Sequence, residues 1–429
     1  MAQAAPLCGL VVGRESTGVL PLAGADWARA TLYWNAIDDT PIDSPNQPFA
    51  DIDQVVASVP NTLVSVEAFP GSVNNNSGPY RASCTNWQSV LTSWRDFWQQ
   101  ATSRYCATNP ANHGVVRYWS VWNEPNAWNF LQPRLECSLG TDYCKPDPMT
   151  DPSRKYDCQI SAAQDYADLV YYAELGRRAG CPSASLVVGE IAQDDYKLTF
   201  IDQVLSGLAR YGVTPAVYTV HTYDTAAGTV SQVSQYRSTL SNHQVWSPIW
   251  VTEAGGPAPG LPVTTCQAAG WDPQSQSCWG NQASFLQDMF RLNQQYASAY
   301  NWPRTFVFRA QVLYMPTDEY GIALVNSGQV TQTLSTSLTR GACTGCGESG
   351  CVPAQGAYIS HFTEPGCKGI ESYYLPYDGY GYQCRTWDGN GRCGTIHRTM
   401  TNKSYRYNGQ CYDAWSSGNT LNDFVTVYR

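Results

Sequence analysis

The chain has 429 residues, a formal charge of −9 at neutral pH and 16 cysteines. This length suits one large domain plus a small one, the diffuse acidity with no basic run excludes a nucleic-acid partner, and no apolar stretch approaches the ~20 residues of a membrane span. So many cysteines at mostly irregular spacing exclude a reducing cytosol unless they bind metal, and disulfides in a secreted protein are the expectation.

Apolar strands alternate with helical stretches along most of the chain. Strands are expected at Leu7–Gly13, Ala28–Ile37 and Thr62–Phe69, the last preceded by the helical run "FADIDQVVASV". A helix follows in which Val90, Trp94 and Trp98 recur every fourth residue, then a fourth strand at Val115–Trp122. Ser185–Ile191, Ala216–Asp224, Pro248–Gly256 and Arg304–Tyr314 read as the remaining strands, with helices near 162–178, 198–212, 230–240 and 281–300 and a last short one at 331–339. Eight continuously apolar strands with interleaved helices predict a (β/α)8 TIM barrel, because strands buried on both faces belong to parallel sheets. An open doubly wound sheet would want a Gly-rich turn after an early strand, and "LCGLVVGRESTG" is a poor version of one.

The texture changes after Arg340. Residues 341–429 hold seven cysteines, many Gly and Tyr, and no helical periodicity. The division expected is a catalytic barrel over 1–340 and a small, Cys-rich, disulfide-bonded β domain over 341–429, with a sugar-binding module (in view of "SYYLPYDGYGY"), a cell-surface anchor and a cap on the barrel as its alternatives. "CTGC" at Cys343–Cys346 lacks a second CxxC or a His pair at finger spacing, so no metal is expected there. Nine cysteines fall before the boundary and seven after it, so either a disulfide joins the two parts or each keeps a thiol. "MAQAAP" resembles a start Met set before a mature secreted end, and the preference for Arg over Lys suits a bacterium, where the sequons at Asn75 and Asn402 would be silent.

In such a barrel, chemistry sits at the C-terminal ends of the strands. The fourth strand ends in "VWNEPN" at Glu124, and the seventh in "WVTEAGG" at Glu253. Strict alternation would place Ile249, Val251 and Glu253 on one face. Burying a carboxylate costs several kcal/mol unless it is paired or used, and paired carboxylates suit cleavage of a glycosidic bond. Two acids at close range repel, which keeps one of them protonated as the general acid. The aromatic content, 13% and mostly Trp and Tyr, fits a surface that packs against sugar rings.

"WNEPN" with "TEAG" resembles clan A of the retaining glycoside hydrolases, and the "VWNEPN…W" form looks closest to family 39, which includes β-xylosidases and exopolysaccharide hydrolases. The resemblance covers residues 7–339. It implies that Glu124 is the acid/base and Glu253 the nucleophile, with no cofactor or metal. It implies further that Arg29 supports the nucleophile, that Asn123 bonds the sugar 2-hydroxyl, and that His221 and Tyr223 form the strand-six pair, the Tyr hydroxyl holding Glu253. Alternation would point Asn123 away from Glu124, so the strand must twist or break there. Strand eight lacks the Trp common at its end in the clan and carries Phe308, Arg309 and Gln311 instead. Trp34, Trp128 or Phe130 are left as sugar platforms. Glu67 and Glu190 also end strands, where they would bind hydroxyls or face solvent. The partner is an oligo- or polysaccharide. A transglycosylase using the same glutamates and an inactive carbohydrate-binding barrel are the alternatives.

Overall fold

Val11, Trp27, Leu63, Tyr118, Val187, Val217, Trp250 and Phe306 meet in one apolar cluster, and each comes from a different strand. In the computed structural model these strands are β1 (Leu7–Val11), β2 (Trp27–Tyr33), β3 (Asn61–Glu67), β4 (Tyr118–Val121), β5 (Ser185–Ile191), β6 (Val217–Thr222), β7 (Ile249–Ala254) and β8 (Arg304–Val307). They pair in chain order, all parallel, and β1 closes on β8 through Leu7↔Arg304 and Gly9↔Phe306. The layout is the expected (β/α)8 barrel. The structure describes residues 7–12, 27–38, 48–59, 61–74, 79–111, 113–140, 142–145, 151–255 and 276–308, with short β segments between 325 and 428.

The helices are α1 (Trp34–Asp38), α2 (Pro48–Ser58), α3 (Trp87–Arg104), α4 (Glu136–Leu139), α5 (Pro152–Gly180), α6 (Lys197–Tyr211), α7 (Ala226–Asn242) and α8 (Gln276–Tyr300). Local chemistry sets their ends. The Asp151 side chain accepts from Ser153 N ahead of Pro152 at the first turn of α5, and Thr225 accepts from Gly228 N at the start of α7. Gly212 ends α6 in the left-handed region, at φ 66°. The second predicted strand was drawn too long, because the chain turns into α1 at Trp34.

Alternate strand residues face outward into a second, larger apolar cluster shared with the helices: Ala28, Ala30 and Leu32 on β2, Val64 and Val66 on β3, Tyr218 and Val220 on β6. The helix α3 feeds Val90, Trp94, Phe97 and Trp98 into it. At the N-terminal ends of the strands the inner cluster is sealed by Arg304, whose guanidinium lies 3.6 Å from the Trp27 ring centroid and 4.2 Å from that of Trp250.

Outward residues are two apart except at two places. Val188 and Ile191 on β5 both face the outer cluster, as do Val251 and Ala254 on β7, and the pairing register slips at both. Each slip is a β-bulge, one extra residue that re-aims its neighbours. In the first the bulge carries Glu190, in the second Glu253. The alternation reading of Glu253 is thereby corrected: Ile249 and Val251 point outward, and the bulge turns Glu253 to the interior.

Among the described residues three disulfides form: Cys84–Cys137 and Cys144–Cys158 tie the β3–α3 loop and α5 to the segment between β4 and α5, and Cys106–Cys181 joins the C-terminal ends of α3 and α5. The bonding of the other cysteines lies outside the described residues, as do the "CTGC" element and the expected helix at 331–339. An antiparallel six-stranded sheet runs in the order 410–413, 404–407, 359–364, 368–374, 329–330, 325–326. It draws two strands from before residue 340, where the sequence places the domain boundary.

Gly189 sits in the β5 bulge at φ 131°, and an added Cβ would lie 2.2 Å from the Thr219 carbonyl oxygen. Gly189→Ala is expected to destabilise the fold by at least ~2 kcal/mol in denaturant unfolding. Gly212→Ala, which meets nothing within 4 Å, should cost only about 1 kcal/mol. Equal losses would place no special strain at the bulge.

Candidate active site

Arg29 is the second inward side chain of β2 and is 2% exposed. Its Nε donates to Glu190 Oε1 at 3.0 Å and its Nη2 to Glu190 Oε2 at 2.6 Å, a two-pronged pair. Nη1 donates to Glu253 Oε1 at 2.8 Å, and Nη2 also reaches Asn123 Oδ1 at 2.7 Å. One guanidinium therefore gathers β2, β4, β5 and β7 at one level of the barrel. Burial alone would lower its pKa, but Glu190 and Glu253 outweigh that, and the group stays cationic. Glu190 neither binds a hydroxyl nor faces solvent. It is wholly enclosed, with Ser65 Oγ donating to it at 2.8 Å, and Arg29 holds its carboxyl below the usual range against the upward push of burial.

The end of β4 breaks, as the Asn123 assignment requires. Trp122 and Glu124 take positive φ values of 64° and 45°. Val121 and Trp122 both face the outer cluster, which resets the alternation and lets Asn123 and Glu124 turn inward. The backbone stays bonded through the break: Trp122 N donates to Val66 O and Glu124 N to Glu190 O. Asn126, the last residue of "WNEPN", clamps β4 to β5 by accepting from Ala192 N and donating to Ala192 O. Sequence reading passed over it, although an Asn next to a strand-ending Pro is a common turn signal.

His221 and Tyr223 stand on one side of the β6 end. His221 Nδ1 lies 2.9 Å from Glu124 Oε1 and 3.5 Å from Glu253 Oε2, and the Tyr223 hydroxyl donates to Glu253 Oε2. Burial depresses the His221 pKa, yet Glu253 and Glu124 together raise it above its ordinary value. Burial and Glu253 keep Tyr223 protonated far beyond neutral pH. Ligand atoms of Glu124, His221 and Glu253 all lie within 4.8 Å of one another. That spacing could hold a cation. A metal there would face the Arg29 guanidinium and displace hydrogen bonds on both Glu253 oxygens, so the donors fit a hydrogen-bonded group better.

The structure thus brings together Arg29, Asn123, Glu124, His221, Tyr223 and Glu253. Trp34 is corrected: it is 1% exposed and stacks on Phe97 with centroids 5.4 Å apart, inside the outer cluster, so it offers no face to a sugar. Trp128 is half-buried in the insert after β4, where its indole donates to Glu136 Oε1 at 2.7 Å. Phe130 lies edge-on to Tyr80, and Phe308 edge-on to Tyr223. Arg309 and Gln311 are outside the described residues.

No protein-family model matches the sequence, and no curated protein matches it. Solved structures do resemble the fold. A GH5_18 protein from Streptomyces cattleya, in complex with Manβ1-4GlcNAc, aligns with TM-score 0.50 and 13% identity over 79% of this chain and 80% of its own. A family 39 glycoside hydrolase from Bacteroides cellulosilyticus WH2 aligns with TM-score 0.49 and 14% identity over 87% of this chain and 69% of its own. The Ignisphaera aggregans GH53 catalytic domain gives 0.48 and 16% over 78% and 91%. These neighbours are glycoside hydrolases of clan A from several families, with family 39 not singled out, and at such identity the likeness is one of fold.

Removing Arg29 strands two buried carboxylates, Glu190 the more enclosed of them. Arg29→Met is expected to cost about 3–5 kcal/mol in unfolding free energy, and Arg29→Met with Glu190→Met much less. The pH sign follows from Glu190, whose folded pKa is lowered. Its stabilisation is full above the ordinary carboxylate value and is lost as pH falls through the folded one. The wild type should lose stability on acidification more steeply than the double variant, as read by thermal melts from neutral pH downward.

Proposed function

We propose that the protein is a retaining glycoside hydrolase in which Glu253 is the nucleophile and Glu124 the general acid and base. The observation that carries this is the close approach of the Glu124 and Glu253 oxygens, within 4.8 Å, on either side of His221 Nδ1. Retaining enzymes hold their carboxyl groups about 5–5.5 Å apart, whereas inverting ones leave about 6.5–9.5 Å for a water.

Glu253 attacks the anomeric carbon while Glu124 gives its proton to the departing oxygen. The resulting glycosyl ester on Glu253 is opened by a water that Glu124 deprotonates, and two inversions return the starting configuration. Arg29 and Tyr223 bond the two oxygens of Glu253 and fix its rotamer, so little reorganisation accompanies attack. His221 stands between the acids, and Glu253 and Glu124 favour its charged form against the pull of burial. Arg29 holds the Asn123 amide by its oxygen, which leaves the amide N–H groups for the sugar hydroxyl beside the reacting carbon.

The finer reading follows the family 39 resemblance: β-xylosides or larger polysaccharides as substrates, acting outside the cell. Disulfides within the barrel fit that setting, and no helix among the described residues is long and apolar enough to cross a membrane.

Nitrophenyl glycosides and a polysaccharide panel identify the substrate. With it, Glu253→Gln and Glu124→Gln should each lower kcat at least ~10³-fold while melting near the wild type. NMR of the first product formed should show the substrate's anomeric configuration. An inverted first product, or wild-type turnover by Glu253→Gln, would sink the assignment.

A further inference from the structure

Leu63, Ser65 and Glu67 lie on the inward face of β3: Leu63 in the inner apolar cluster, Ser65 bonded to Glu190, and Glu67 at the strand's end. On β2 the matching series is Arg29, Thr31 and Tyr33, and Tyr33 stands opposite Glu67 in register. Glu67 therefore lies beyond the Arg29–Glu190 pairing, two residues or about 7 Å further along β3 than Ser65, which bonds Glu190. The mouth of the barrel begins there, since Tyr33 is 42% exposed.

Glu67 itself is 2% exposed, and its Oε2 is buried with no hydrogen-bond partner. The Tyr33 hydroxyl is its side-chain partner. Five charged or titratable groups bear on it: Arg29 and Tyr33 from β2, Glu190 from β5, Glu253 from β7, and Tyr80 from the loop after β3. Burial pushes its pKa up to about 8, with Arg29 offsetting part of the rise and Glu190 and Glu253 adding to it. At neutral pH the group is an un-ionised acid that can donate one hydrogen bond and accept others. A carboxyl left short of hydrogen-bond partners destabilises the fold, and a ligand that supplies the partner recovers that loss. The protein spends Arg29 on Glu190 and Glu253, and Glu67 is left for something that enters from the mouth.

We propose that Glu67, seated against Tyr33, reads a ring hydroxyl of the sugar bound over Glu253 and selects uncharged glycosyl units over uronic acids. A hydroxyl can both give to and take from the Glu67 carboxyl. A uronate would bring a further anion into a chamber where Glu190 and Glu253 share a single guanidinium. This inference rests on the glycosidase reading of the site and extends it to the class of sugar accepted.

The test uses the full chain and whichever of nitrophenyl β-xyloside and β-glucoside it cleaves faster, with the monodeoxy analogues of that substrate. Wild type should lose about 10- to 100-fold in kcat/KM on one deoxy analogue. In Glu67→Ala the parent substrate should fall by a similar factor, and that analogue should then be cleaved as well as the parent. A packing role would instead lower both substrates equally. Glu67→Gln, which keeps a donor and an acceptor, should retain most of the discrimination. If Glu67→Ala fails to fold, Tyr33→Phe on the exposed mouth should still shrink the discrimination. An unchanged ratio of parent to every deoxy analogue in the folded Glu67→Ala protein, or in Tyr33→Phe where that variant stands in, overturns the hydroxyl assignment. Equal wild-type cleavage of β-glucoside and β-glucuronide overturns the selectivity. Failure of the underlying reading looks different: Glu253→Gln would then cleave the parent glycoside as fast as the wild type.

Discussion

A single guanidinium at the middle of the barrel sets the terms for the rest of the site. Arg29 has two carboxylates and an amide oxygen within hydrogen-bond distance and almost no contact with water. A cation in that setting persists only if anions come to it, and each anion persists only because the cation is there. The β5 and β7 bulges are the means of delivery. Each inserts one residue where a regular strand would carry the next side chain outward, and in each the redirected residue is a glutamate. The two differ in what else they meet. Glu190 is closed in by Ser65 and serves as ballast for the charge, whereas Glu253 keeps its second oxygen toward Tyr223 and His221.

This division explains why four acidic residues near one another can behave so differently. Arg29 holds Glu190 ionised, desolvation drives Glu67 neutral, and Glu124 and Glu253 share His221. Position along the strand decides the role. The lower layer is charge-paired and dry, and the layer above it faces the opening and keeps unspent hydrogen-bonding capacity.

Much of this was legible in the sequence because period and position carry it. Continuous apolar strands interrupted by helices announce a parallel barrel, and glutamates at strand ends announce a site on its C-terminal rim. What could not be read is where the alternation slips. Nothing in "VTEAGG" says that an extra residue sits between Val251 and Ala254, so the face assigned to Glu253 came out reversed even though the residue was the right one. Glu190 was misjudged for the same reason, the Gly before it being the one local sign of a bulge. Trp34 shows a different limit. An aromatic near a strand end suits a sugar platform and a hydrophobic core equally well, and only the turn into α1 decides between them.

The stacked Arg304 at the far end carries a consequence for traffic. With Trp27 and Trp250 closed around it, the barrel is a cup and not a tube. The interior at Glu253 is thereby closed toward the N-terminal ends of the strands, and the barrel axis offers no passage through that end.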